Sequence, residues 1–208
     1  MPKPDLDSAY ALGDAAQTRE FYSDWAETYD VSFADARGYA SPREAARVFR
    51  AASGNTTPVL DIGAGTGLLG EALAGTVIDA LDLSPEMLRV AEGKGVYRRL
   101  FTADLTGPLD IPSDSYGGVV STGTFTHGHV GAVCLPELWR IARPGALFVC
   151  TVIAEVLDSA GFGSALAEMV ARGQITPVGF REFSIYDKPG SEHSDDKGLI
   201  MSFRKLPV

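Results

Sequence analysis

The sequence predicts an α/β protein with a doubly wound, mostly parallel sheet. The apolar run Val59-Leu60-Asp61-Ile62 is typical of a short buried strand, and it is followed at once by a glycine-rich loop. A helical pattern begins at Leu68, so this stretch is a strand, a tight turn and a helix. A second apolar run over 77–83 ends at Ser84-Pro85, a pair that caps a helix. Two successive strand and helix units predict the doubly wound class.

The region before the first strand predicts helices. Residues 1–13 are rich in proline at first and predict a loose segment. Asp14 with Gln17 is a capping-box pattern, and the helical period continues to about Asp30. A second helix is predicted from Ser41 to about residue 53. We therefore expect a single domain over 1–208, with helices over 14–53 and the sheet over 58–208.

The rest of the chain continues the alternation. Further strands are predicted near Phe101 and over 117–121, with the fourth strand short because of its glycines. A helix is predicted over 158–172. Alternating apolar and polar residues over 174–186 and 198–204 predict a final antiparallel pair.

Composition limits the classes of partner. The chain has 208 residues, 27 of them acidic and 18 basic, which gives a net charge of −9 and disfavours binding to nucleic acid. Cys134 and Cys150 lie in apolar or helical contexts without a Cys-x-x-Cys pair, which predicts reduced core thiols and no metal. No apolar run reaches membrane-spanning length and no targeting signal is apparent, so the expected location is cytoplasmic without membrane association.

The glycine loop predicts a nucleotide-type ligand because glycines let the backbone approach it closely. A P-loop is excluded, since Glu71 stands where that motif requires lysine. A dinucleotide loop is formally matched by Gly65, Gly67 and Gly70, which keeps a nicotinamide-dependent oxidoreductase open. Asp61 argues against it, because a carboxylate at the strand end would repel a diphosphate and attract a cation.

The combined pattern Asp-x-Gly-x-Gly-x-Gly resembles the cofactor motif of class I S-adenosylmethionine-dependent methyltransferases. The resemblance implies a seven-stranded Rossmann-like sheet, N-terminal lid helices and S-adenosylmethionine as the cofactor. It also implies that the loop wraps the methionine part of the cofactor. The residues carried over to that role are Asp61, Gly63, Ala64, Gly65 and Gly67.

A second motif of the same family lies at the end of the second strand. Asp82 follows Gly63 by 19 residues, close to the separation at which an acid reaches ribose hydroxyls. Leu83 and Met87 are candidates to flank the adenine, although core residues would look the same. The stretch Asp-Leu-Ser-Pro-Glu-Met-Leu resembles the family's second motif. Two linked motifs are more specific than one.

Two later segments extend the predicted cofactor site. The resemblance implies that Asp104 contacts the adenine amino group and that Leu105 lines the adenine ring. The alternative is that Asp104 only caps a turn. Thr122 follows the fourth strand at the carboxyl end of the sheet, where open α/β sheets bind ligands.

An aromatic stripe precedes the glycine loop. Tyr22, Trp25 and Tyr29 share one face of the predicted helix, a pattern that core packing would also produce. The segment Trp-Ala-x-x-Tyr-Asp resembles the lid helix of small-molecule methyltransferases. The resemblance implies that Tyr29 is the main residue covering the cofactor, with Tyr22 and Trp25 as further candidates.

The loop after the fourth strand bears on the acceptor. His127 is the predicted catalytic base or orienting donor, and His129 is the less favoured of the two. The alternatives are a structural role for both histidines and a metal pair, which the absence of a third ligand nearby disfavours. The Asp/Asn-Pro-Pro-Tyr/Phe motif of adenine and glutamine methylases is absent from the sequence, which argues against those acceptors and leaves oxygen, sulfur, carbon and other nitrogen acceptors open. The acidic net charge favours a small-molecule acceptor, with a protein that has a basic patch as the alternative.

Several short runs refine the resemblance. Asp-Leu-Ser-Pro-Glu-Met-Leu, Lys-Gly-Val-Tyr, Thr-His-Gly-His-Val-Gly and Pro-Glu-Leu resemble the Williams–Beuren syndrome region methyltransferase-like proteins. A cofactor-binding module without catalytic activity remains an alternative, because Gly118 and Ser121 are unusual near the active end of strand four.

Overall fold

A computed structural model describes residues 15–53, 56–190 and 193–207. Its order of elements is α1 (Ala15–Trp25), a π-helix (Asp30–Asp35), α2 (Ser41–Ala52), β1 (Val59–Ile62), α3 (Leu68–Ala72), β2 (Ile78–Asp82), α4 (Pro85–Gly93) and β3 (Leu100–Thr102). There follow β4 (Tyr116–Phe125), a 3₁₀ helix (Ala132–Cys134), α5 (Leu135–Ile141), β5 (Ala142–Val152), α6 (Ala154–Ser159), α7 (Phe162–Ala171), β6 (Gly179–Ser184) and β7 (Lys197–Arg204).

The strands form one seven-stranded sheet in the order β3-β2-β1-β4-β5-β7-β6. All pairs from β3 to β5 are parallel, whereas β7 runs antiparallel to both β5 and β6. This confirms the predicted fold class, including the final antiparallel pair. The strand order reverses between β1 and β4, so the loops after these two strands open a crevice at the carboxyl edge of the sheet.

The core lies on both faces of the sheet because side chains alternate along each strand. Leu60 and Ile62 of β1 face a cluster that includes α5 and α7. Val59 faces the opposite cluster, which contains Phe49 of α2 and Trp25 of α1. The N-terminal helices therefore cover one face of the sheet. Cys134 and Cys150 are buried free thiols, and burial raises the pKa of Cys134 to about 12.

The predicted N-terminal helix differs from the observed one. The α-helix ends at Trp25, a turn follows, and a π-helix begins at Asp30, so the predicted helix over 14–30 is wrong as one continuous element. The predicted start at Asp14, like the loose segment 1–13, lies outside the described residues. No helix in the described part of the chain has both the length and the apolar character needed to span a membrane.

Strand β4 is longer than predicted, and its first two glycines lie within it where neighbouring residues pack closely. A Cβ at Gly117 would lie 2.6 Å from the Thr56 carbonyl oxygen, and one at Gly118 would lie 2.9 Å from the Phe49 ring. These glycines allow close packing within the strand instead of ending it. The helix predicted over 158–172 is divided into α6 and α7 because Gly161 has a left-handed backbone with φ of 77°. The predicted strand over 174–186 is reduced to β6.

A buried carboxylate joins β2 to the start of β4. Asp79 is fully buried, and its oxygens accept hydrogen bonds from Arg98 at 2.8 Å, Arg99 at 2.8 Å and Tyr116 at 2.8 Å. Burial opposes ionisation of Asp79, but the hydrogen bonds from these partners outweigh it and lower its pKa to about 2. The carboxylate therefore stays charged in the folded chain.

We expect Asp79→Asn to lower the free energy of unfolding by roughly 3 kcal/mol at neutral pH, because two guanidinium groups lose their anionic partner. The pKa of Asp79 is depressed on folding, so its contribution is complete above about pH 4 and is lost as the pH falls towards 2. Urea denaturation at several pH values measures it. Exposed Asp110→Asn is the matched control, and an equal effect of both substitutions would contradict the prediction.

Candidate active site

A cavity of about 400 Å³ lies at the carboxyl ends of β1, β2 and β4, beneath the N-terminal helices. Its walls come from the loops after β1, β2, β3 and β4 and from α1. The predicted residues that line it are Tyr22, Tyr29, Gly63, Ala64, Gly65, Asp82, Leu83, Met87, Asp104, Leu105 and Thr122. Tertiary structure thus brings together residues that are up to 100 positions apart.

The glycine loop forms the floor of the cavity. Gly63 has φ of 64°, and a Cβ there would lie 2.1 Å from Thr124 Oγ1, so the Thr124 side chain of β4 leaves no room for a side chain at position 63. Gly65 has φ of 54° and lines the cavity, but a Cβ there would meet nothing within 4 Å. The space above Gly65 is therefore open for a ligand, and a side chain would occupy it.

Gly67 has a different role from the one its motif predicts. It does not line the cavity, and a Cβ on it would press against Ala91 and the Tyr97 ring. The glycine is needed for the turn into α3 and for packing on α4. The motif therefore mixes residues that face the cavity with residues that shape the loop.

Asp82 connects the glycine loop to the end of β2. Its Oδ2 accepts a hydrogen bond from the Gly65 N–H at 2.7 Å, and its Oδ1 accepts one from the Ser84 N–H at 2.9 Å. Burial raises the pKa of Asp82, and the backbone hydrogen bonds partly offset this. Leu83 and Met87 follow in the cavity wall, and Ser84 caps α4 as predicted, accepting a hydrogen bond from the Met87 N–H at 3.1 Å.

Asp104 also lines the cavity and follows β3. Its Oδ1 accepts hydrogen bonds from the Thr106 N–H at 2.8 Å and the Thr106 hydroxyl at 2.7 Å. The turn-capping arrangement and the position in the cavity wall therefore occur together. Leu105, which is buried, places an apolar surface next to the carboxylate.

Asp61 lies behind the loop instead of in the cavity wall. It is fully buried, its Oδ2 accepts a hydrogen bond from the Tyr97 hydroxyl at 2.7 Å, and its Oδ1 has no hydrogen-bond partner among the described residues. Burial raises the pKa of Asp61 to about 7; the Tyr97 hydrogen bond opposes this rise, and the charge of Asp82 adds to it. A positive group near this carboxylate would favour its charged form.

Sequence reasoning missed Tyr97. Its hydroxyl donates to Asp61 and accepts a hydrogen bond from the Gly70 N–H at 3.1 Å, and a Cβ on Gly70 would lie 2.4 Å from the Tyr97 ring. This contact explains Gly70, which completed the formal dinucleotide pattern. The run Lys-Gly-Val-Tyr contained the residue, but its partners lie 27 and 36 positions away.

The aromatic residues form a connected cluster. Tyr22 and Tyr29 line the cavity, whereas Trp25 is buried behind them with ring centroids 6.3 Å from Tyr22 and 5.1 Å from Tyr29. The Trp25 indole N–H donates to the Ser32 hydroxyl at 2.8 Å. The structure thus places Trp25 in a supporting position and adds Tyr39 to the cavity wall, a residue that the sequence pattern did not single out.

His129, not the predicted His127, has its ring in the cavity wall. The His129 Nδ1 lies 2.6 Å from the His127 carbonyl oxygen, and a carbonyl can only accept, so Nδ1 carries the proton. Burial lowers the pKa of His129, which favours the neutral ring. Nε2 is then the acceptor, and it receives the Tyr22 hydroxyl at 3.1 Å. Of the two histidines in this loop, His129 is therefore the one that lines the cavity.

The unusual residues of β4 have structural explanations. Ser121 is fully buried, and its hydroxyl lies 2.7 Å from the Ile62 carbonyl oxygen and 2.8 Å from Thr124 Oγ1. Together with Gly118 beneath Phe49, it packs β4 against β1 and α2. Neither residue is an argument for a site without catalytic activity.

Comparisons with known proteins agree with this architecture. Residues 60–150 match the family model described as a methyltransferase domain. The chain is 29% identical over 140 residues to a ubiquinone biosynthesis O-methyltransferase of Xylella fastidiosa, a match covering 63% of this chain and 55% of that protein. The chain therefore spans about half the length of the curated relatives it matches.

Solved structures cover almost the whole chain. Magnesium protoporphyrin IX methyltransferase from Synechocystis PCC 6803, solved with bound S-adenosylmethionine, has a TM-score of 0.64 at 17% identity, covering 94% of this chain and 98% of that one. Burkholderia thailandensis 1,6-didemethyltoxoflavin-N1-methyltransferase, solved with its substrate and S-adenosylhomocysteine, has a TM-score of 0.63 at 22% identity, covering 94% and 92%.

The fold is that of the class I methyltransferases. In this methyltransferase fold, the cavity occupies the crevice at the reversal of strand order, where open α/β sheets bind ligands. The match to the family model covers β1 to β5, which contribute the glycine loop, Asp82 and Asp104. The N-terminal helices that cover the cavity lie outside that match.

We expect Asp61→Asn to remove part of the pH dependence of stability. The pKa of Asp61 is about 7 in the folded chain and about 3.9 when unfolded, so the folded chain binds more protons between these values. Stability of the natural chain should therefore fall, relative to the variant, by up to about 4 kcal/mol as the pH rises from 4 to above 7.

Urea denaturation without ligand at intervals of pH measures this difference, with Asp110→Asn expected to follow the natural chain. Parallel profiles for Asp61→Asn and the natural chain would show that Asp61 does not titrate in this range.

Proposed function

We propose that this chain is an S-adenosylmethionine-dependent methyltransferase that acts on a small-molecule acceptor. The charge of the cavity carries the proposal. Asp82 and Asp104 line it, and none of its lining residues, all in the described part of the chain, is lysine or arginine. A dinucleotide would place a diphosphate here without a cation to meet it. S-adenosylmethionine has an ammonium and a sulfonium and no phosphate.

The glycine loop and Asp82 suit the methionine and ribose parts of this cofactor. The open space above Gly65 lets backbone groups approach the methionine part, and the unpartnered oxygen of Asp61 provides negative potential behind the loop. Each Asp82 oxygen already accepts one backbone N–H, but a carboxylate has about four acceptor positions. Two vicinal hydroxyls can therefore still be accepted.

Another group of lining residues suits an adenine ring. Leu83, Met87 and Leu105 provide apolar surface, and Asp104 provides an acceptor for an amino group. Tyr22 and Tyr29 cover the cavity from the N-terminal helices, with Trp25 supporting both rings. Gly67 shapes the glycine loop, and Thr122 lies in the cavity wall near the end of β4.

When bound, S-adenosylmethionine supplies a methyl carbon that is already activated by the sulfonium. The chain contributes binding, orientation and exclusion of water. These contributions account for much of the rate of methyl transfer when the reacting group needs no further activation. Tyr22 of α1 and Tyr29, which precedes the π-helix, provide the exclusion because their rings line one side of the cavity.

Two observations support a small acceptor. The curated relatives carry the name of a small-molecule O-methyltransferase, and the solved neighbours include enzymes named for porphyrin and toxoflavin precursors. A net charge of −9 disfavours nucleic acid. The finer resemblance to the Williams–Beuren syndrome region methyltransferase-like proteins remains a proposal and names no acceptor.

We expect calorimetry to detect S-adenosylmethionine and S-adenosylhomocysteine as competing ligands, and Asp82→Asn to weaken both by roughly tenfold or more. The reason is that a charged acceptor of hydrogen bonds becomes neutral, at a cost of about 1.5–3 kcal/mol. Asp110→Asn is the control with the same change at an exposed position, and circular dichroism checks that both variants are folded.

A nicotinamide dinucleotide that binds more tightly than S-adenosylmethionine would overturn the proposal and favour an oxidoreductase. S-adenosylmethionine binding without methyl transfer to any of a broad panel of acceptors would favour the module without catalytic activity.

A further inference from the structure

Tyr97 contacts both sides of the glycine loop from outside the cavity. It ends the run Lys-Gly-Val-Tyr in the connector between α4 and β3, and it does not line the cavity. Its hydroxyl donates to Asp61 Oδ2 at 2.7 Å and accepts the Gly70 N–H at 3.1 Å. Asp61 belongs to β1, before the loop, and Gly70 belongs to α3, after it. One side chain thus joins the two elements that the loop connects.

The bond to Gly70 caps the start of α3. Gly67 is the N-cap of this helix and has no side chain to accept a hydrogen bond, although N–H groups in the first turn lack partners within the helix. The Tyr97 hydroxyl accepts one of them, and the Tyr97 ring occupies the space beside both glycines. Leu68 and Leu69 of the same turn line the cavity. Tyr97 therefore helps to fix a part of the wall that it does not itself enter.

The bond to Asp61 has a defined direction. A hydroxyl has one proton, and because the Gly70 N–H already donates to Tyr97, the proton of Tyr97 is directed at Asp61. Burial and the charge of Asp61 raise the pKa of Tyr97, so the hydroxyl keeps this proton. A hydrogen bond donated to the charged form of a carboxyl favours that form. Tyr97 therefore stabilises the Asp61 carboxylate relative to the neutral acid.

The surroundings of Asp61 otherwise favour the neutral acid. Asp61 is fully buried, its Oδ1 has no hydrogen-bond partner among the described residues, and the residues paired with it on β2 and β4 are uncharged. The negative charge of Asp82 also opposes ionisation, and the nearby Cys150 thiol stays neutral because burial raises its pKa. Burial raises the pKa of Asp61 to about 7, and the Tyr97 hydrogen bond opposes this rise.

The charge of Asp61 lies within electrostatic range of the cavity. Asp82 lines the cavity and interacts with Asp61 through its charge, whereas Asp61 is fully buried behind the loop and touches no ligand. The interaction must therefore pass through the protein, where charges attract more strongly than in water. For a positive group about 10 Å away at an effective dielectric constant of about 20, ionisation of Asp61 strengthens binding roughly tenfold.

We propose that Tyr97 is a positioning residue for cofactor binding, whose hydroxyl keeps Asp61 ionised behind the glycine loop while holding the start of α3. This inference rests on the proposed function, because the ammonium and sulfonium of S-adenosylmethionine are the positive groups that would meet this charge. Tyr97 then sets the pH below which the cofactor binds less tightly. It does so through Asp61 and without touching the cofactor.

The pH dependence of binding tests the proposal. Calorimetry measures the affinity of the full chain for S-adenosylhomocysteine, whose ammonium is the positive group, from about pH 5 to about pH 9. In the natural chain the affinity should rise about tenfold with pH, with a midpoint slightly below 7, because a positive ligand lowers a pKa that is about 7 in the free chain. Tyr97→Phe keeps the ring and removes the donor, so its midpoint should be about one pH unit higher.

Comparing variants at the same pH cancels titration of the ligand itself. Tyr116→Phe is the matched control, because the Tyr116 hydroxyl donates at 2.8 Å to the buried Asp79 and neither residue lines the cavity. This variant should keep the natural midpoint. Asp61→Asn should lack the step, and adding Tyr97→Phe to it should leave the profile unchanged. A natural midpoint in Tyr97→Phe, or weakening by the same factor at every pH, would overturn the proposal.

Carboxyl carbon-13 NMR provides a test that does not depend on the folding of Tyr97→Phe. The Asp61 signal, assigned by its loss in Asp61→Asn, should titrate near pH 7 in the free chain and about one unit lower with S-adenosylhomocysteine bound. 3-Fluorotyrosine at position 97 has a more acidic hydroxyl and is a stronger donor, so it should lower the Asp61 midpoint. An Asp61 signal that responds neither to the ligand nor to fluorination would contradict the role of Tyr97.

The two proposals fail in different ways. Loss of the Tyr97 inference leaves S-adenosylhomocysteine binding, and its dependence on Asp82, intact in the same samples. Absence of S-adenosylhomocysteine binding at every pH would instead overturn the proposed function itself.

Discussion

The Asp82 carboxylate joins the two strand ends on which the site depends. One oxygen accepts the N–H of Gly65 and the other accepts the N–H of Ser84, so a single side chain fixes the glycine loop relative to the start of α4. These donors lie at the N-terminal side of α3 and at the cap of α4, where backbone N–H groups lack partners within the helix. The carboxylate thus satisfies the backbone and provides the negative potential of the cavity.

The rest of the loop is supported from below by polar contacts in the core. Ser121 and Thr124 of β4 direct their hydroxyls at the Ile62 carbonyl, at 2.7 and 3.1 Å, and Tyr97 connects Asp61 with Gly70. These contacts fix the position of the glycine loop relative to β4 and Tyr97. Catalysis by orientation requires that the residues around the ligand are held rigidly. Small displacements of the reacting atoms would otherwise reduce the gain in rate.

The N-terminal helices are held to this framework by a few polar contacts. Asp30 accepts a hydrogen bond from Thr66 of the glycine loop at 2.5 Å and pairs with Lys94 at 2.7 Å, and Ser23 donates to Glu86 at 2.7 Å. Both side chains of the Arg89–Glu27 ion pair are exposed, so this pair contributes little to holding the helices in place. Most of the attachment therefore comes from burial of Trp25 and Phe33 against the sheet. The segment that covers the cavity is thus connected directly to the loop that the ligand would contact.

The sequence by itself determined the order of strands and helices and most of the cavity wall, because those signals are local. Glycine spacing, an acid after β2 and the Ser-Pro cap each depend on neighbours within a few residues, and the residues they single out, Gly65, Asp82 and Met87, line the cavity. Only the tertiary structure decided which partners approach from elsewhere in the chain. Tyr97 lies behind Asp61, Gly117 and Gly118 permit close packing instead of ending β4, and the ring of His129 instead of His127 enters the wall. Each of these outcomes depends on a side chain or backbone group brought close by packing of the sheet and helices, and no local pattern encodes that proximity.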